Sequence, residues 1–95
     1  MWKIESVDGI IDKKLKKFKS NKDIINGYKT AIIELSTSED PTKIGTLKHG
    51  KFKHCYSYNV TKSYRLLYRV YFKEKIIQLI DLDDHKNIFG RDNRS

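Results

Sequence analysis

Hydrophobic and polar positions change their rhythm partway along this chain. Up to about residue 35 the apolar side chains recur at helical spacing, and from Lys43 onward the periodicity is alternating. Ile11, Leu15 and Phe18 fall on one face, with Lys13, Lys14, Lys16, Lys17 and Lys19 around the rest, the pattern of a short amphipathic helix. A turn-like Asp8-Gly9 precedes it, and before that Trp2, Ile4 and Ser6 alternate with Lys3, Glu5 and Val7 as a weak strand. After a break at Ser20 and Asn21, Ser20 with Asp23 three places on predicts the N-terminal cap of a second helix. There Ile24, Tyr28, Ala31, Ile32 and Leu35 make one apolar stripe, and Pro41 ends the pattern because it cannot continue a helix. The two helices are expected to form a hairpin.

Three alternating runs follow, over 52–60, 64–72 and 76–83, joined by the polar links "TKS" and "KEK". Links this short imply antiparallel neighbours in a meander. In the middle run Tyr64, Leu66, Tyr68, Val70 and Phe72 face one way, and Arg65, Leu67, Arg69 and Tyr71 the other. If Tyr56, Tyr58 and Val60 pack on the helices, then Ser57, Asn59, Arg65 and Leu67 share the opposite, open face. The expected fold class is α+β: an N-terminal strand and a two-helix hairpin packed on one face of an antiparallel sheet. Residues 1–95 are expected to form a single domain, and "RDNRS" a frayed polar tail.

Composition adds a location for charge. The net charge is +8, yet residues 1–42 sum to +1 and residues 76–95 to −1. The excess therefore sits in 43–75, where Lys43, Lys48, Lys51, Lys53, Lys62, Arg65, Arg69, Lys73 and Lys75 face only Glu74. A localised positive field suits a polyanion such as nucleic acid, or an acidic protein; a basic, solvated face without a ligand is the plain alternative. One cysteine, Cys55, excludes an internal disulfide and a cysteine-rich metal site, and a reducing cytoplasm is its natural setting. The first residues lack the apolar run of a signal peptide, and "IIQLI" is too short to span a bilayer, so no membrane association is expected.

Glycine-rich phosphate loops, serine elbows and paired-carboxylate constellations are missing from the sequence, which removes most nucleotide-binding and hydrolase readings. Cys55 reads as a small packing residue, His54 as a buried or edge histidine beside the tyrosines, and His49 as a turn residue next to Gly50. Asp81, Asp83, Asp84 and His85 could be gathered as a metal site, but alternation turns Asp84 away from the other two aspartates, and no metal or other cofactor is expected. A basic sheet face with one histidine near its end can still cleave RNA, since RNA carries its own nucleophile in the 2′-hydroxyl. That reaction needs a base, cations at the phosphate and an acid for the leaving oxygen.

A Leu-x-x-Gly step at Leu47 and Gly50, the Tyr-Arg-Leu-hydrophobic-Tyr strand from Tyr64 to Tyr68, an apolar strand, and a closing His-x-x-x-aromatic at His85 and Phe89 follow one another along the chain. In this order the motifs resemble those of the RelE/ParE superfamily of toxins from type II toxin–antitoxin systems. The resemblance covers nearly the whole chain. It implies a ribosome-dependent endoribonuclease of the RelE branch, or else a ParE-like inhibitor of DNA gyrase or a degenerate binding module on the same fold.

Under the RelE reading Arg65 matches the arginine that stabilises the scissile phosphate, His85 the acid–base histidine, and Phe89 the aromatic that closes the site. Lys48, Lys51, Lys53, Asn59, Lys62, Arg69 and Lys86 are the further candidates for contact with RNA. Where some relatives carry paired lysines or a histidine, this chain has Ser57 and Asn59, leaving Lys53, Lys62 and Lys86 as candidates for the general base. A cognate antitoxin and mRNA on the ribosome are the implied partners.

Overall fold

The computed structural model describes residues 1–48, 54–84 and 86. Strand β1 (Lys3–Ser6) leads through a tight turn into helix α1 (Ile10–Lys17), which is followed by helix α2 (Lys22–Thr37). A short 3-10 turn at Pro41–Lys43 precedes strands β2 (Thr46–Leu47), β3 (Tyr56–Asn59), β4 (Tyr64–Tyr71) and β5 (Ile76–Asp84). The Asp8-Gly9 turn is real: both residues take left-handed backbone angles, with φ of 44° and 68°. Helix α2 is capped by Asn21, whose side chain accepts from Ile24 N at 3.1 Å, rather than by the expected Ser20. The shift is small in sequence and large in geometry, because only the residue directly before the first helical turn has its oxygen in reach of the free amides.

The five strands form one sheet in the order β1-β5-β4-β3-β2. β2 to β5 are an antiparallel meander, as the short links required, whereas β1 adds to β5 in parallel, Lys3 opposite Ile76 and Ser6 opposite Leu79. The sheet is therefore mixed, and the helical hairpin carries the chain from β1 at one edge towards β2 at the other. β2 was not foreseen; its two residues leave almost no periodicity to read.

One face of the sheet carries the main core. Ile11 and Phe18 of the α1 region and Ile24, Ala31 and Leu35 of α2 meet Leu66, Tyr68, Ile77, Leu79 and Leu82, with Tyr56, Tyr58, Tyr64 and Val70 packed beside them. Leu66, Tyr68, Ile77 and Leu82 are fully buried, and each such side chain contributes about 1.5–3 kcal/mol. The central strands thus hold the fold from this side, so far-face residues can be changed without removing its main support. Close approach is enforced at Gly27 of α2, where any Cβ would collide with the Val60 carbonyl.

A register slip between Leu67 and Tyr68 leaves Ile80 as an extra residue on β5. The bulge lets Leu79 and Leu82, three apart, both enter the main core, while Asp81 and Asp83 stand beside Leu67 and Arg65 on the far face. That far face is less open than expected. Leu67, Cys55 and Ser57 are all buried there, and Ile80 packs on the Cys55–Leu67 pair. Two further expectations fail. Phe72 lies beyond the end of β4, 53% exposed against the Trp2 ring instead of in the core. His54 takes a left-handed φ of 68° and is exposed, so the alternation with Tyr56 and Tyr58 does not extend back to it. No helix of the described residues is long and apolar enough to cross a membrane.

Candidate functional site

Pairing along the sheet builds the site. Asn59 on β3 is opposite Arg65 on β4, and Arg65 is opposite Asp83 on β5, so the three form a row across the far face. Arg65 is half-buried. Its Nη1 donates to the Lys62 carbonyl at 3.0 Å and, more weakly, to the Thr61 carbonyl at 3.5 Å. Those carbonyls belong to the β3–β4 turn, which is shaped by Thr61: its hydroxyl accepts from Ser63 N at 3.2 Å and Tyr64 N at 3.1 Å. The turn is closed by Val60 N donating to Tyr64 O at 2.9 Å. Arg65 is thereby steadied on one side by neutral acceptors, and among the described residues it makes no ion pair.

Beside it lies a cleft of about 510 Å³ lined by Lys62, Ser63, Tyr64, Arg65, Asp84 and Lys86. Three cations face one aspartate there, a balance that suits an anionic group. Lys62 and Lys86 are exposed, so their ammonium groups can move onto a ligand at little cost. A neighbouring cleft of about 530 Å³ shares Lys62, Ser63 and Tyr64 and continues to Asn21 and Asp23 at the start of α2.

Asp83 is engaged from the other side. Lys14 of α1 sits 2.6 Å from Asp83 Oδ2 and 3.1 Å from Asp81 Oδ1. β1 covers only the Ile76–Leu79 part of β5, so Lys14 reaches both carboxylates beyond the end of β1, along the edge of β5 away from β4. Partial burial alone would lower the lysine pKa, but the hydrogen bonds to Asp83 and Asp81 and their charges outweigh it and hold the ammonium above its ordinary value.

The sequence-predicted residues divide into three groups. Asn59, Lys62, Arg65 and Lys86 come together around the row and its cleft. Arg69 and Lys48 stand apart: Arg69 is four residues along β4 beside Cys55 and Tyr71, and half-buried Lys48 continues from β2 by donating its backbone amide to Cys55 O at 2.9 Å. Lys51, Lys53, His85 and Phe89 lie outside the described residues. Ser57 is 6% exposed and cannot present a group to a ligand. Thr61 and Lys14 were missed. A threonine two places before a serine in a three-residue link is a readable turn signal, but nothing in the sequence connects Lys14 to Asp83.

No protein-family model matches the chain, and no curated protein matches it by sequence. Its shape, in contrast, is shared with solved toxins. A metal-bound toxin from Helicobacter pylori superposes with a TM-score of 0.74 at 21% identity, covering 94% of this chain and 100% of that one. A chain of the YoeB–YefM complex from Staphylococcus aureus gives 0.69 at 17% identity, covering 90% and 98%. YafQ from Escherichia coli gives 0.63 at 14% identity, covering 95% and 100%. The chain shares the α+β fold of these solved toxins.

Proposed function

We propose that this protein is a RelE-like toxin: a ribosome-dependent endoribonuclease that cleaves mRNA during translation and is neutralised by a cognate antitoxin. The observation that carries the reading is the setting of Arg65. It is fixed by carbonyls, unpaired with any described carboxylate, and opens onto a cleft shared with Lys62 and Lys86. Such a guanidinium is preorganised for a phosphate whose charge grows during reaction.

In the proposed step the 2′-oxygen of RNA attacks the adjacent phosphorus as the bond to the 5′-oxygen breaks. The 2′-hydroxyl proton passes to a base, for which Lys62 and Lys86 are placed at the cleft, and the 5′-oxygen takes a proton from an acid, the role assigned to His85. The products are a 2′,3′-cyclic phosphate and a 5′-hydroxyl. Arg65 supports the charge on the phosphoryl oxygens throughout.

A second reading, a non-nuclease toxin acting on DNA gyrase or a binding module on the same fold, is favoured by one observation. Ser57 is buried and Asn59 is neutral where some relatives place basic groups. Primer extension on mRNA from a translation reaction, run beside a gyrase supercoiling assay, separates the two. Cuts within codons that fall at least about tenfold in Arg65→Ala support the nuclease; loss of supercoiling with intact mRNA overturns it. Intact cleavage in the Arg65→Ala, His85→Ala double variant overturns the mechanism.

A further inference from the structure

β4 carries a second cation whose surroundings the proposed reaction does not use. Arg69 is on the same face as Arg65, four residues along, roughly 13 Å away at the rise of a strand. One phosphate cannot span that distance. The buried Leu67 lies between them, so the two arginines serve separate surfaces. The cross-strand partner of Arg69 is Gln78, which is neutral. The carboxylate continuing that row, Glu5, is one strand further out and lies 3.9 Å from Lys3.

Contacts with the Cys55 sulfur and the Tyr71 hydroxyl keep the guanidinium firmly cationic. Its Nε is buried and has no hydrogen-bond partner among the described residues. A buried donor on a charged group is costly to leave unmet, and no acceptor among the described residues meets this one. Next to it is a cleft of about 320 Å³ walled by His54, Arg69, Val70 and Tyr71. His54 is exposed on a left-handed turn at the entry to β3, and Tyr71, 40% exposed, donates its hydroxyl to Gln78 Oε1 at 3.3 Å, which leaves the ring against the cleft.

We infer that this cleft is a phosphate-binding site, with Arg69 as its charged donor, His54 as a second donor at the rim, and the Tyr71 ring packing on the group attached to the phosphate. The chemistry fits a phosphodiester of bound RNA at a position removed from the scissile bond, which rests on the function proposed above, and equally a free phosphate ion.

The test follows the Arg69 Nε–H signal by NMR in the nitrogen-labelled protein. One titration uses inorganic phosphate and a second a short RNA blocked at its 2′-hydroxyls. Saturable shifts of that signal with RNA, retained in Arg65→Gln, are expected, with RNA binding about tenfold weaker in Arg69→Gln and a salt dependence reduced by about one ion. Arg69→Lys, which keeps charge but not the planar fork, should fall between. A saturable response to phosphate without one to RNA assigns the site to the free ion. No response to either, or one that only tracks ionic strength, overturns the inference, and the wild-type titrations decide this even if Arg69→Gln misfolds. Loss of cleavage in Arg65→Ala without any Arg69 response would leave the nuclease standing and this site refuted; the converse result separates them the other way.

Discussion

Arg65 and Asp83 stand opposite each other on β4 and β5, yet each takes its bonds elsewhere, Arg65 from the Thr61 and Lys62 carbonyls and Asp83 from Lys14. A cross-strand arginine and aspartate would ordinarily attract. Lys14 therefore holds away the carboxylate best placed to neutralise Arg65. Lys14→Met should lower RNA cleavage about fivefold or more while costing only about 1 kcal/mol of stability for a partly exposed pair. Adding Asp83→Asn should restore much of the cleavage, because the competing charge is gone. Equal activity of the single and double variants in the translation assay would rule out this coupling.

The turn that steadies Arg65 depends on a single hydroxyl. Thr61→Val keeps the shape of the side chain but removes the acceptor for Ser63 N and Tyr64 N. A loss of about 1 kcal/mol is expected, seen as a melting temperature lower by roughly 4–8 °C for a domain of this size. Turnover should fall more than RNA binding, and Thr61→Ser should recover both, which a purely steric role for the methyl group would not allow.

Gly27 tests the packing of α2 on the sheet. A methyl group there meets backbone rather than the end of a flexible side chain, so Gly27→Ala should destabilise the protein by about 1–3 kcal/mol despite its better helix propensity. Denaturant unfolding measures it. A stabilised variant would mean that α2 can lift away from Val60.

Tyr58 gives a pH signature. Partial burial, followed by its hydrogen bond to Glu34 and that carboxylate's charge, pushes its pKa up to about 12. The folded state then favours the neutral phenol. Its contribution is complete below pH 10, the ordinary value for tyrosine, and fades as the pH rises from there towards about 12. Tyr58→Phe should be less stable than the parent near neutrality, and the gap should close over that alkaline range. A gap independent of pH would show that the phenol and Glu34 are not linked.

Much of the architecture was written in periodicity. The stripes through Ile11 and Phe18 and through Ile24, Ala31 and Leu35 did become the helical core, and Leu66 and Tyr68 did face it. What periodicity could not carry was any break in its own period. The bulge at Ile80 shifts β5 by one residue, so strict alternation would have placed Leu82 away from Leu79. The left-handed angle at His54 cuts β3 short, and Phe72 falls just past the end of β4, where the pleat no longer dictates which way a side chain points. Arg65 was legible because its strand was. Its partners were not, since Lys14 meets Asp83 only after α1 has packed beside β5.

The parallel pairing of β1 with β5 orders events in time. Lys3–Ser6 is made first but has no strand to join until Ile76–Leu79 has been made. Until then β1 has no neighbour in the sheet, and Lys14 has neither of its aspartates. Closing so distant a contact is slow compared with forming the local hairpins. A nascent copy therefore lacks its completed sheet edge, and the Lys14 contacts beside Arg65, until β5 has been made and has folded back onto the start of the chain.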